Sequence, residues 1–237
     1  SDRTYKANPQ FRPILGNRED DFTSEEILQL EKVHQALSII QFKLETQLIK
    51  RRPEFQMEDQ VKLDNIDYLK ECVTIDGKKY NLTNTCFQTI DPANPAELSL
   101  EESQAVDSLL ASFQGSPKLA EHIELLMKKG SMYKIYNQHL LFHGCIPLEA
   151  SGELKPLIIN QSCYAGRELL DFFEYHIRQA AKNKEIGDDF STDLIWYCWR
   201  GAVSPLFGKD KMTTLERYFV EDKDTHKEVE NSYFSYR

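Results

Sequence analysis

His139-Leu140-Leu141-Phe142-His143-Gly144-Cys145-Ile146-Pro147 is the stretch on which the reading of this chain turns. Bulky apolar residues followed by glycine and a nearby proline predict a buried strand that breaks into a loop. Upstream, residues 132–136 have strand character, and Asn137-Gln138 between the two runs predicts a hairpin. A histidine at such a strand end has two readings. It either hydrogen-bonds to a neighbouring carbonyl, or it stands beyond the sheet where a metal or substrate could sit. Gly144 would let backbone approach whatever binds there.

Composition narrows the classes. At 237 residues, with 41% apolar and 28% charged residues, the chain has enough material for a real core in one large domain or two small ones. No run of about eighteen apolar residues exists, so no membrane span is expected. A formal net charge of −9 argues against nucleic acid as a partner. The five cysteines, Cys72, Cys86, Cys145, Cys163 and Cys198, are odd in number and lack CxxC spacing. With no signal segment at the start, they predict reduced, buried thiols in a cytoplasmic setting.

Going outward toward the N-terminus, residues 1–22 read as an irregular lead-in punctuated by Pro9, Pro13 and Gly16. Thr23-Ser24-Glu25-Glu26 is a capping box. The recurrence of Ile27, Leu30, Val33, Leu37, Ile40, Leu44 and Leu48 predicts an amphipathic helix over residues 25–49. His34 on its edge reads as structural. Lys50-Arg51-Arg52-Pro53 ends the helix, cations suiting the negative end of the dipole. The functional alternative is a basic cluster for phosphate groups. Residues 72–82, with Asp76-Gly77 at the centre, predict a hairpin. Ser99-Leu100-Glu101-Glu102 opens another capped helix, closed by Gly115. Ser116-Pro117 opens the next, with Leu119, Ile123, Leu126 and Met127 as its buried stripe and His122 in solvent.

Toward the C-terminus, residues 154–159 read as a strand and 167–181 as a helix. Residues 192–201 hold both tryptophans. Trp196 and Trp199, three apart on one helical face, are expected as core anchors rather than as a sugar platform. Residues 204–209 form a loop, and 213–219 a short helix with a capping box of its own. Lys209, Lys211 and Arg217 beside a helix start make a candidate anion site, against the alternative of a solvated loop with salt bridges. Arg167 opens a helix, where a cation opposes the dipole, and this points to a carboxylate or phosphate partner. His226, in a charged tail, is expected to be exposed.

Four blocks carry a family resemblance: IIQFKLETQLIKRRPEF (39–55), MKKGSMYKIYNQHLLFHGCIPL (127–148), YAGRELLDFFE (164–174) and SPLFGKDKMTTLERYFVEDKDTHKE (204–228). With them, residues 8–237 resemble the central part of class III fructose-1,6-bisphosphatase, a bacterial family built on a calcineurin-like metallophosphoesterase core. The resemblance implies hydrolysis of the 1-phosphate of fructose 1,6-bisphosphate, a gluconeogenic step, with a dinuclear manganese centre. In such centres two metals activate a water and clamp the phosphate. It implies that His143, followed by Gly144, is a metal ligand. Residues 193–196 resemble, more loosely, an Asp-Leu-Leu-Trp segment of related phosphatases.

The departures are specific. The superfamily's Asp-x-His, G-D-x-x-D-R-G and G-N-H-(D/E) motifs upstream of such a histidine are absent, as is the later G-H-(T/S). Gly187-Asp188 lacks the aspartate-arginine continuation. Gly16-Asn17-Arg18-Glu19 lacks the histidine and is read as coincidence. The expectation is an internal fragment: an α+β chain with an irregular lead-in (1–22), a helical and hairpin insertion (23–130) and part of a metallophosphoesterase β-sandwich (131–237). The catalytic residues would then lie elsewhere in the protein, and the fragment would be inactive alone. Its partners would be the substrate and the remaining N- and C-terminal parts of its own chain, with exposed edges inviting a homo-oligomer. The alternative is a non-catalytic cap or interaction module of a metallophosphoesterase.

Overall fold

The computed structural model describes residues 4–183 and 189–236, apart from the side chains of Glu19 and Asp20. Gly187-Asp188 therefore lies outside the described residues. The architecture is α+β, with six α-helices and four small antiparallel sheets among the described residues. No described helix is long and apolar enough to cross a membrane. The chain divides into two units.

The first unit comprises residues 1–53, 57–107 and 213–227. Its longest element is α1, Ser24–Arg51. The capping box forms as its sequence predicts: Thr23 N donates to Glu26 Oε2 at 2.7 Å, and Glu26 N donates to Thr23 Oγ1 at 3.2 Å. The buried face of α1 differs from a plain apolar stripe. Leu37 and Leu44 are exposed, while Gln35, Ser38, Lys43 and Thr46 are buried beside Ile39 and Phe42. Strands β1 (Ile66–Asp67), β2 (Cys72–Ile75) and β3 (Lys78–Asn81) pair in that order. The β2–β3 turn has Asp76 at φ 50° and Gly77 at φ 76°, the left-handed pair that a two-residue hairpin needs.

Ile39, Phe42, Val73, Ile75 and Phe219 pack into one core, together with Phe11 from a short 3-10 helix, Pro9–Phe11, in the lead-in. Full burial of each such side chain contributes ~1.5–3 kcal/mol. His34 is structural, as expected. One ring nitrogen lies 2.9 Å from the Phe11 carbonyl and the other 3.0 Å from the Tyr218 hydroxyl. The short helix α6, Leu215–Phe219, lacks the expected capping box. The Thr213 hydroxyl instead donates to the His226 carbonyl at 3.0 Å and accepts from Arg217 Nε at 3.1 Å. His226 is half-buried rather than exposed, its Nε2 lying 2.7 Å from the Val220 carbonyl.

Helix α2, Leu100–Gln114, begins in the first unit, and the division falls between Asp107 and Ser108. Its capping box is also present, with Ser99 N donating to Glu102 Oε2 at 2.8 Å.

The second unit comprises residues 54–56, 108–212 and 228–237. After α3 (Pro117–Lys129) come hairpins of β4 (Tyr133–Tyr136) with β5 (His139–Phe142), and β6 (Leu157–Ile159) with β7 (Ser162–Tyr164). Both turns are two-residue Asn-Gln pairs in the left-handed region. The second explains why the strand expected over residues 154–159 is one arm of a hairpin. Helices α4 (Gly166–Lys182) and α5 (Phe190–Arg200) pack together around Leu169, Phe173, Leu194 and Tyr197. β8 (Lys209–Lys211) pairs with β9 (Val229–Glu230).

Several sequence expectations fail in this unit. The α3 stripe is not buried, since Leu119 and Met127 are half-buried while Ile123 and Leu126 are exposed. Trp196 is half-buried and Trp199 is 52% exposed. The α5 face that enters the core carries Leu194, Tyr197 and Cys198 instead, one position away on the helical wheel. Cys163 on β7 is exposed, whereas the other four cysteines are buried, and all five are free thiols.

Candidate functional site

β4 and β5 pair in the register Tyr133↔Phe142, Lys134↔Leu141, Ile135↔Leu140 and Tyr136↔His139. The strand is short and exposed rather than buried, with Leu140 44% and Leu141 53% exposed. His143 follows directly after β5, in a bend, with its side chain exposed. His139 at the other end of β5 is exposed too.

The backbone beneath His143 is held firmly. Gly144 has φ +79°, and a Cβ there would lie 2.2 Å from the Pro205 carbonyl oxygen. That oxygen accepts from Cys145 N at 2.9 Å. What approaches Gly144 closely is thus the 204–208 loop of the same unit, rather than a ligand. The loop is fixed by Ser204, which is 1% exposed. Its hydroxyl donates to the Cys198 carbonyl at 2.5 Å and accepts from Leu206 N at 3.1 Å. Past Pro147, Asn231 clamps the chain: its Oδ1 accepts from Leu148 N at 3.0 Å and its Nδ2 donates to Asp210 Oδ1 at 2.8 Å. Asp210 in turn pairs with Lys155 at 3.0 Å. Asn231 is not distinguishable from the sequence, because it acts on a segment 83 residues away with no local motif; Ser204 acts within six residues, on Cys198 and on the turn that follows it.

The cations read as phosphate contacts fall in several places. Lys50, at the end of α1, pairs with Asp64 at 2.7 Å. Arg51 and Arg52 beside it are half-buried and engaged. Arg167 at the start of α4 donates from Nε to the Tyr133 hydroxyl at 2.9 Å, and Asp171 lies 3.5 Å away. The Tyr133 hydrogen bond, aided by Asp171, holds its pKa above the usual guanidinium value. The anionic partner that its awkward helix position implies is supplied within its own helix. Lys209 pairs with Glu228, and Lys211 is half-buried and engaged. Lys209 and Lys211 belong to the second unit and Arg217 to the first, so the three do not share one unit.

A dinuclear centre needs several nitrogen and oxygen ligands. Among the described residues, no three His, Cys, Asp or Glu side chains gather as a metal site. His34 and His226 make the hydrogen bonds given above, and His176 is engaged with the Ser191 hydroxyl at 2.8 Å. Burial among aromatic rings lowers the pKa of His176, so the neutral form is favoured. The residues present thus do not by themselves fit a metal pair.

Comparison with known proteins gives a consistent result. A family profile described as Firmicute fructose-1,6-bisphosphatase matches residues 1–237. A class 3 fructose-1,6-bisphosphatase of Streptococcus gordonii is 84% identical over 237 residues, covering 100% of this chain and 37% of the relative. Those of Streptococcus sanguinis and Ligilactobacillus salivarius are 76% and 50% identical over the same span. The chain therefore spans about 37% of the length of the curated relatives it matches. No solved structure matches it.

Proposed function

The chain belongs to the Firmicute fructose-1,6-bisphosphatase family, and from that membership we propose that it forms part of a longer fructose-1,6-bisphosphatase. The reaction is hydrolysis of the 1-phosphate of fructose 1,6-bisphosphate, a phosphoric monoester hydrolysis in bacterial, cytoplasmic gluconeogenesis. The observation that carries the reading is the match of the family along the whole chain.

In this reading the core is a metallophosphoesterase sandwich to which these residues contribute one part, and the metal is a manganese pair. His143 contributes one imidazole from the sheet margin, and the remaining ligands come from other parts of the polypeptide. Exposure just beyond a strand end, on backbone pinned to Pro205, suits that role, because a metal ligand is useful only if its frame is rigid. Lys50, Arg51, Arg52, Arg167, Lys209, Lys211 and Arg217 are the candidate phosphate contacts. Each is already engaged or belongs to an ion pair, so substrate would have to replace a carboxylate or other partner. A second reading, a non-catalytic module supporting the catalytic parts, is favoured by the lack of a gathered ligand set among the described residues.

The two readings separate in the full-length protein. His143→Asn should weaken manganese binding at least as much as loss of an outer-shell partner does, about 10–100-fold, and should lower phosphatase activity in parallel. Unchanged manganese stoichiometry, affinity and activity would remove His143 from the centre and favour the supporting module.

A further inference from the structure

The β4–β5 hairpin is poorly covered for what it carries. Alternation places Tyr133, Ile135, Leu140 and Phe142 on one face, an unbroken apolar ladder. At its root Tyr133 and Phe142 are half-buried, and Phe142 meets Tyr233 edge to face at 6.1 Å. At its tip Ile135 is 62% and Leu140 44% exposed. Tyr136 and Leu141 on the opposite face are exposed as well. An isolated two-stranded hairpin is marginal in water, and three or more strands with a covered apolar face are usually needed.

The backbone is also open. In a two-residue hairpin the residues flanking the turn exchange both hydrogen bonds, so Tyr136↔His139 and Lys134↔Leu141 are the bonded pairs. The amides of Ile135 on one edge and Leu140 on the other then point outward. Large apolar side chains and unpaired amides on one short ribbon form a template for strand addition.

We propose that a strand from the remainder of the same polypeptide adds to an edge of the β4–β5 hairpin and extends it into a sheet of at least three strands. This rests on the reading of the chain as part of a longer fructose-1,6-bisphosphatase. The occupant is argued from length: the matched relatives carry well over half of their residues beyond the part that this chain covers. Position supports it too. The ribbon leads directly into His143, whose proposed role requires ligands from those same absent residues, and a strand laid on this edge would bring them to that margin.

The test is amide hydrogen exchange on the full-length protein, read residue by residue over a dilution series, with phosphatase activity assayed on the same sample. An uncovered edge amide exchanges near the rate of unstructured chain, whereas a paired one is slowed by about a hundredfold or more. Strong protection of either the Ile135 or the Leu140 amide, unchanged on dilution to the monomer, is the expected result. Protection lost on dilution in step with dissociation would assign the edge to a second copy, and fast exchange at both amides would leave it uncovered; either overturns the proposal. Activity separates the two claims: an active enzyme with both amides unprotected loses this inference alone. A protected edge in an inactive full-length protein loses only the proposed function.

Discussion

The ammonium of Lys43 on α1 is 0% exposed and lies 2.7 Å from Glu102 Oε2 in the first turn of α2. The same ammonium donates to the Thr89 carbonyl at 2.6 Å, and the Thr89 hydroxyl donates to Glu102 Oε1 at 2.6 Å. Glu102 thus caps its own helix and neutralises a buried cation at once. Taking charges out of water is costly, so such a pair contributes mainly through the damage its disruption causes.

Lys43→Met should therefore destabilise the protein by about 3–5 kcal/mol, since it strands a buried carboxylate. Adding Glu102→Gln, which keeps a side-chain acceptor for the Ser99 amide, should recover part of that loss. Urea denaturation of both variants provides the measurement. A single-variant loss within the range of an exposed ion pair, below about 1 kcal/mol, would show that the pair is solvated.

Gly144 and Gly77 allow a controlled comparison. Both have positive φ, +79° and +76°, but a Cβ at Gly77 meets nothing within 4 Å, whereas one at Gly144 meets the Pro205 carbonyl oxygen at 2.2 Å. Gly77→Ala should cost only the left-handed penalty of roughly 1–2 kcal/mol. Gly144→Ala should cost clearly more, because backbone must move. Equal shifts in thermal midpoint for the two variants would refute the close approach.

The cysteines should differ sharply in reactivity. Burial pushes the thiols of Cys86 and Cys198 up to about 12 and that of Cys145 to about 11. A raised thiol pKa leaves the nucleophilic thiolate scarce at neutral pH, and its fraction grows only as pH climbs toward that value. At pH 8 in the native state, iodoacetamide should modify Cys163 first, with Cys72, Cys86, Cys145 and Cys198 reacting only after denaturation. Peptide mapping in which Cys145 or Cys198 labels as fast as Cys163 would contradict the burial.

Local structure was largely legible. The capping boxes at Thr23 and Ser99 and the Asp-Gly hairpin turn form as their residues predict, because hydrogen bonds between near neighbours depend on little else. The box read at residues 213–216 fails because the Thr213 oxygen accepts from Arg217 Nε instead of from a backbone amide, while its proton goes to the His226 carbonyl. The candidate site was legible only in one residue. His143 follows a recognisable strand, whereas Asn231, which clamps the chain past Pro147, acts on a segment 83 residues away.

By itself the sequence determined the main helices, the turns at Asp76-Gly77 and Asn137-Gln138, the family and the position of His143 at a strand end, since these follow from periodicity, local hydrogen bonding and extended similarity. Only the tertiary structure decided which faces are buried. It put Lys43 rather than Leu44 inside, Tyr197 rather than Trp199 in the core, and left Ile135 and Leu140 in solvent. Burial depends on what lies opposite each side chain, and that is set by contacts between residues far apart along the chain.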